Sequence, residues 1–152
     1  MEVTDIDISG LLQKLHAYSQ DSDMLLPPLR ALADAFNTTP TDLSAADAAL
    51  FVQLLGHRDA TAVEAAVMAV WQASFHSPNH LVLTDAQVIH TLCILLCKHV
   101  DHAVIVEYTV RICWNLSSAA EMNEHIVSSS LIEVLLALLH RDERQRQAYK
   151  QQ

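Results

Sequence analysis

"LLGHRD" at residues 54–59 and "LLHRD" at residues 138–142 pose the question on which the fold turns. His-Arg-Asp occurs in the catalytic loop of protein kinases, and it also suits the joint between two helices. The kinase loop continues to an Asn and works with a glycine-rich loop and an Asp-Phe-Gly. Here Asp59 leads into "ATAVEA" and Asp142 into "ERQRQA", neither with that Asn, and the chain has only two glycines, Gly10 and Gly56. The joint reading fits. Each tripeptide, and "HVD" at 99–101, follows a Leu-Leu run of apolar helix. Cationic side chains suit a helix C-terminus and Asp suits the N-cap or first turn of the next helix.

The joints recur because the chain repeats. Displaced by 43 positions, Trp71 falls on Trp114, and Val63, Val67, Val70 and Ser74 fall on Val106, Val110, Cys113 and Ser117. Val88, Leu92, Leu95 and Leu96 fall on Leu131, Leu135, Leu138 and Leu139. Apolar matches three and four residues apart form one buried helical stripe, and a fixed period of this length marks a repeat architecture. Candidate capping boxes stand at Ser44-x-x-Asp47, Thr84-x-x-Gln87 and Ser130-x-x-Glu133, with a further start at Thr61-x-x-Glu64. The pattern predicts helices near 8–19, 24–37, 44–56, 61–76, 84–99, 103–118 and 130–141, with a fragment from 143 onward. Pro27-Pro28 is expected in the first turn of the second helix. "NTTPTDLS", "HSPNHLVLT" and "SAAEMNEHIVSS" are expected to turn the chain between repeats, the last with room for one short helix.

Composition agrees. The chain has 152 residues, 51% apolar and 18% charged, which suits one domain, and two glycines hardly supply the tight turns of a β-sandwich. A net charge of −9 argues against a nucleic-acid binder, which needs a basic surface. Arg141, Arg144, Arg146 and Lys150 lie in the last twelve residues and read as a solvated helical tail. No apolar run approaches the ~20 residues of a membrane span, and "MEVTDIDISG" lacks the pattern of a secretory signal. Cys93, Cys97 and Cys113 are an odd count in apolar helical stretches and read as buried free thiols. The expected location is therefore cytoplasmic, intracellular and reducing.

"VRICWNLSSAAEMNEHIVSSSLIEVLLALLHRDE" at 110–143 resembles an armadillo repeat. The resemblance is carried by Asn115-Leu116-Ser117, Asn123, Ile126-Val127 and Leu138 to Asp142. Block 70–101 matches with Gln72 in place of the Asn, and Ser128–Ser130 stand where the family commonly has a glycine. The resemblance implies an all-α fold, a right-handed α-α superhelix forming a short armadillo-like solenoid of about three to three and a half repeats. The approximate repeats are 8–39, 43–79, 83–121 and an incomplete 126–152, within a single domain over 1–152. It also implies a concave groove for a peptide or protein surface, with Asn115 placed to hold a ligand backbone. The Trp that import receptors of this family carry one turn earlier is replaced by Arg111, and in the other repeat by Met68, so a nuclear-localisation-signal groove is not expected.

The residues themselves mark one candidate surface. Glu64, Met68, Gln72 and His76 are spaced by four, and Glu107, Arg111 and Asn115 match the first three at the same offset of 43. Arg30 and Asp34 continue the stripe in the first repeat, while Trp71 and Trp114 are expected in the core. His90, Cys93 and Cys97, with His99 and His102 nearby, are the best case for a metal, but they sit on a helix whose apolar positions are core, unlike the turns of a structural zinc site. No nucleophile stands with a base and an orienting group. The expectation is a non-enzymatic adaptor without cofactor or metal that binds a protein or peptide. The alternative is a structural subunit acting by self-association, such as a homodimer through exposed repeat ends, or by capping a larger assembly.

Overall fold

The computed structural model describes residues 6–151, and among them every regular element is helical. In chain order these are α1 (Ile8–Ala17), α2 (Ser22–Thr38), α3 (Ala45–Leu55), α4 (Ala60–Ala73), α5 (Pro78–Asp85), α6 (Val88–Lys98), α7 (Ala103–Ser117), a 3-10 turn (Ala120–Met122), α8 (Asn123–Val127) and α9 (Leu131–Lys150). The helices form two contact series. α2 packs on α4 and α4 on α7; α3 packs on α6 and α6 on α9. Consecutive members tie the series together, α3 to α4 and α6 to α7, and α1 covers α2.

The apolar stripes explain this order. Leu25, Leu29 and Leu32 of α2, Phe51, Leu54 and Leu55 of α3, Val63 and Val67 of α4, Leu92, Leu95 and Leu96 of α6, and Ile105, Ile112 and Leu116 of α7 are all buried in one core. Each such side chain contributes about 1.5–3 kcal/mol on burial. Phe36 meets Phe51 edge-on at 5.9 Å, joining α2 to α3. α9 lies outside this density: only Leu131 is fully inside, with Val134, Leu135 and Leu138 packed against the core from its edge.

Several helix starts are capped as the residues suggest. The Ser44 side chain accepts from Asp47 N at 3.1 Å, and Asp59 accepts from Thr61 N at 2.9 Å. The second joint differs, because its N-cap is His102, whose Nδ1 accepts from Ile105 N at 3.3 Å, rather than Asp101. The third tripeptide is no joint at all. α9 runs unbroken through His140-Arg141-Asp142 to Lys150. After Asp59 and His102 a following helix packs back onto the protein and rewards a break. After Asp142 the helix-favouring Glu, Arg, Gln and Ala continue the turn, aided by the Arg146–Asp142 pair at 2.9 Å.

The other two capping boxes do not form. Thr84 closes α5 instead of opening α6, and its hydroxyl donates to the His80 carbonyl at 2.8 Å. The chain turns into α6 through Gln87, the one described non-glycine residue at positive φ, 69°. Ser130 makes no side-chain cap; the Ser129 hydroxyl accepts from Leu131 N at 3.2 Å instead. α2 starts earlier than expected because Asp21 caps it, which moves Pro27 and Pro28 into its second turn. "HSPNHLVLT", expected as a linker, is largely helix α5.

Candidate functional site

The polar stripe falls on α2, α4 and α7, which lie side by side. Arg30 and Asp34 on α2 are exposed, Glu64, Met68 and Gln72 on α4 are half-buried, and His76 lies just beyond the end of α4. On α7, Glu107 and Arg111 are exposed and Asn115 is half-buried. Helical spacing puts each set on one face, and the packing of α2 on α4 on α7 aligns the three faces.

The two halves of this stripe differ. Between α2 and α4 it is open. One depression of about 330 Å³ is walled by Phe36, Asn37, Trp71, Gln72, Phe75 and His76. A second, of about 270 Å³, is bounded by Arg30, Asp34, Thr61, Glu64 and Met68. Phe75 is 61% exposed beside the first, and His76 Nε2 pairs with Asp42 at its rim. Between α4 and α7 the protein's own side chains fill the stripe. The Arg111 guanidinium lies 5.1 Å from the ring centres of both Trp71 and Tyr108 and donates to Glu107 at 2.8 Å. Asn115 Nδ2 donates to Ser74 Oγ at 2.8 Å, so the amide that the resemblance assigns to a ligand backbone is engaged internally. His102 stands 3.7 Å from Glu64.

The tryptophans separate as well. Trp71 is half-buried, with Tyr108 and Phe75 edge-on at 5.1 and 5.3 Å. Trp114, expected in the core, is 77% exposed. α7 covers one side of Trp71, and no described helix follows α7 to do the same for Trp114. The groove thus includes aromatic residues that the periodic stripe does not contain. Phe75, four residues after Trp71, is the signal that would have pointed to them.

At the histidine and cysteine cluster the three thiols part company. Cys93 and Cys113 are buried and Cys97 is exposed, which corrects the expectation of three buried thiols. Cys97 lines the open depression between α6 and α9, beside Glu133 and Ala137, and so keeps contact with solvent. Burial, assisted by the neighbouring Cys93, pushes the Cys113 thiol up to about 12, and burial with Cys97 nearby raises Cys93. Burial lowers His99, as do Lys98 and His102 beside it. Among the described residues no three His, Cys, Asp or Glu side chains converge as a metal would require. Because the thiolate is the nucleophile, iodoacetamide at pH 8 is expected to label Cys97 first and Cys93 slowly. Cys113 should react only after denaturant is added, as peptide mass spectrometry would show. Labelling of Cys113 at the rate of Cys97 in the native protein would contradict this placement.

No family model, no curated protein and no solved structure matches the chain. Among the described residues no single helix is long and apolar enough to cross a membrane.

Proposed function

We propose that the chain is a non-enzymatic protein-interaction module, a short armadillo-like right-handed superhelix that binds an extended peptide or a protein surface along the face of α2, α4 and α7. Two features support the superhelical reading: the parallel contact series α2–α4–α7 and α3–α6–α9, and the 43-residue register that relates α4 to α7 and α6 to α9. The observation that carries the functional reading is the open groove between α2 and α4. Its lower depression combines Trp71, Phe36 and exposed Phe75 with the amides of Asn37 and Gln72. Aromatic walls bury a ligand side chain, and amide side chains can both donate to and accept from a peptide backbone. Asp34 and Glu64 at the other end outnumber Arg30 and favour a ligand with a cationic residue there. Arg111 and Asn115, held by Glu107, Trp71 and Ser74, form the far wall of the site rather than free contacts.

Selection of the purified protein against a displayed peptide library tests this. Enriched peptides are expected to lose about tenfold or more in affinity on combined Gln72→Ala and Phe75→Asp substitution, as for central interface residues. Peptides whose binding is unaffected by this pair would place the interaction elsewhere and overturn the reading.

A further inference from the structure

The register exposes a surface that the groove does not use. Ile89, Cys93 and Leu96 of α6 are buried, at 6%, 9% and 0% exposure, on the side where α8 and α9 pack. Their equivalents 43 residues later, Ile132, Leu136 and Leu139 of α9, are 43%, 50% and 62% exposed. They project from one stripe of the helix, being spaced by four and three. The face that α6 buries is therefore repeated on α9, where no helix among the described residues buries it. The rest of α9 does not supply the cover: from Asp142 to Lys150 it continues as one exposed helix whose only apolar side chains are Ala148 and Tyr149.

Charge identifies the occupant. The C-terminal half of α9 carries Arg141, Arg144, Arg146 and Lys150 against Asp142 and Glu143 and is net positive even with Arg146 paired to Asp142, while the segment leading to its N-terminus carries exposed Glu121 and Glu124. At 1.5 Å per residue, Arg146 and Lys150 lie about 16 and 22 Å beyond the middle of the apolar stripe. If two copies pair their α9 stripes antiparallel across a twofold axis, the basic half of each helix runs past Ile132 of the other to the end that bears Glu121 and Glu124. The surface is thus complementary to itself in both apolarity and charge, as a twofold interface requires. We propose that a second copy of this chain covers the face, in an antiparallel α9–α9 dimer. This proposal stands apart from the groove, which lies on α2, α4 and α7.

Charge reversal tests it without touching the core. Glu121→Lys with Glu124→Lys, and separately Arg146→Glu with Lys150→Glu, are each expected to weaken the dimer about tenfold or more at low salt. An equimolar mixture of the two variants should restore it as a heterodimer, because both cross-contacts are then attractive. Leu136→Asp with Leu139→Asp should give monomers of unchanged helix content by circular dichroism. Sedimentation equilibrium reads all of these. A wild-type mass of 16.9 kDa at every concentration up to about 1 mM overturns the proposal. So does a dimer that survives Leu136→Asp and Leu139→Asp, or charge variants whose mixture dimerises no better than either alone. A monomer that binds an unrelated helical partner through α9 overturns it equally.

Discussion

Asn79→Ala is expected to lower the unfolding free energy by about 2–4 kcal/mol, a loss set by the backbone groups it strands. The Asn79 side chain is 1% exposed and makes three hydrogen bonds. Its Nδ2 donates to the Thr41 carbonyl at 2.8 Å and the Ala73 carbonyl at 3.0 Å, and its Oδ1 accepts from Leu43 N at 2.8 Å. The last carbonyls of a helix have no partner within it. Asn79 fills that of Ala73 and neighbouring His80, through Nε2, fills that of Ser74 at 2.7 Å. One side chain thus closes the C-terminus of α4 and fastens the 41–43 strap to it. Each buried group left unsatisfied costs about 1–3 kcal/mol, and the sum falls short of three full penalties because the Ala73 carbonyl still accepts from His76 N at 3.2 Å and Thr41 is half-buried, where water can reach it.

A chemical denaturation curve measures the loss. Asn79→Asp should be comparably damaging at neutral pH, since it keeps the acceptor for Leu43 N, forfeits both donations and buries a charge. Asn37→Ala, at an exposed position, should change stability by under about 0.5 kcal/mol. A loss below about 1 kcal/mol for Asn79→Ala would mean that the 41–43 strap contributes little to the native state.

Asn79 also shows where sequence legibility stops. The all-helical class, the apolar stripes and the caps at Ser44 and Asp59 are local properties, written in the spacing of neighbouring residues. "HSPNH" reads locally as a turn, since Ser, Pro and Asn favour turns. That its Asn and His are buried polar stitches depends on two strands of chain, 41–43 and 73–74, that only the fold brings beside it. The same limit governs Leu96 and Leu139, which hold one register position and meet opposite environments. Thr84 and Gln87 have the spacing of a capping box, yet α5 claims Thr84 first. Of the candidate groove, the polar residues on α2 and α4 were legible as a ladder, whereas the aromatic wall was not, because the usual burial of large aromatic rings put Trp71 in the core.

Trp71 and Trp114 turn this distinction into a measurement. They occupy equivalent places in the 43-residue register, so a purely sequence-based expectation gives them equal weight. The structure predicts otherwise. Trp71→Ala removes an indole packed edge-on by Tyr108 and Phe75 and lying under the Arg111 guanidinium, and should cost about 2–4 kcal/mol. Trp114→Ala removes a ring that is 77% exposed and should cost under about 1 kcal/mol. Fluorescence separates the two without unfolding the protein. With Trp71 replaced by Phe, the remaining Trp114 emission should be red-shifted and readily quenched by iodide. With Trp114 replaced by Phe, Trp71 should emit further to the blue and resist quenching. Equal stability losses from the two alanine variants, or equal quenching of the two single-tryptophan proteins, would show that something covers α7 as α7 covers α4.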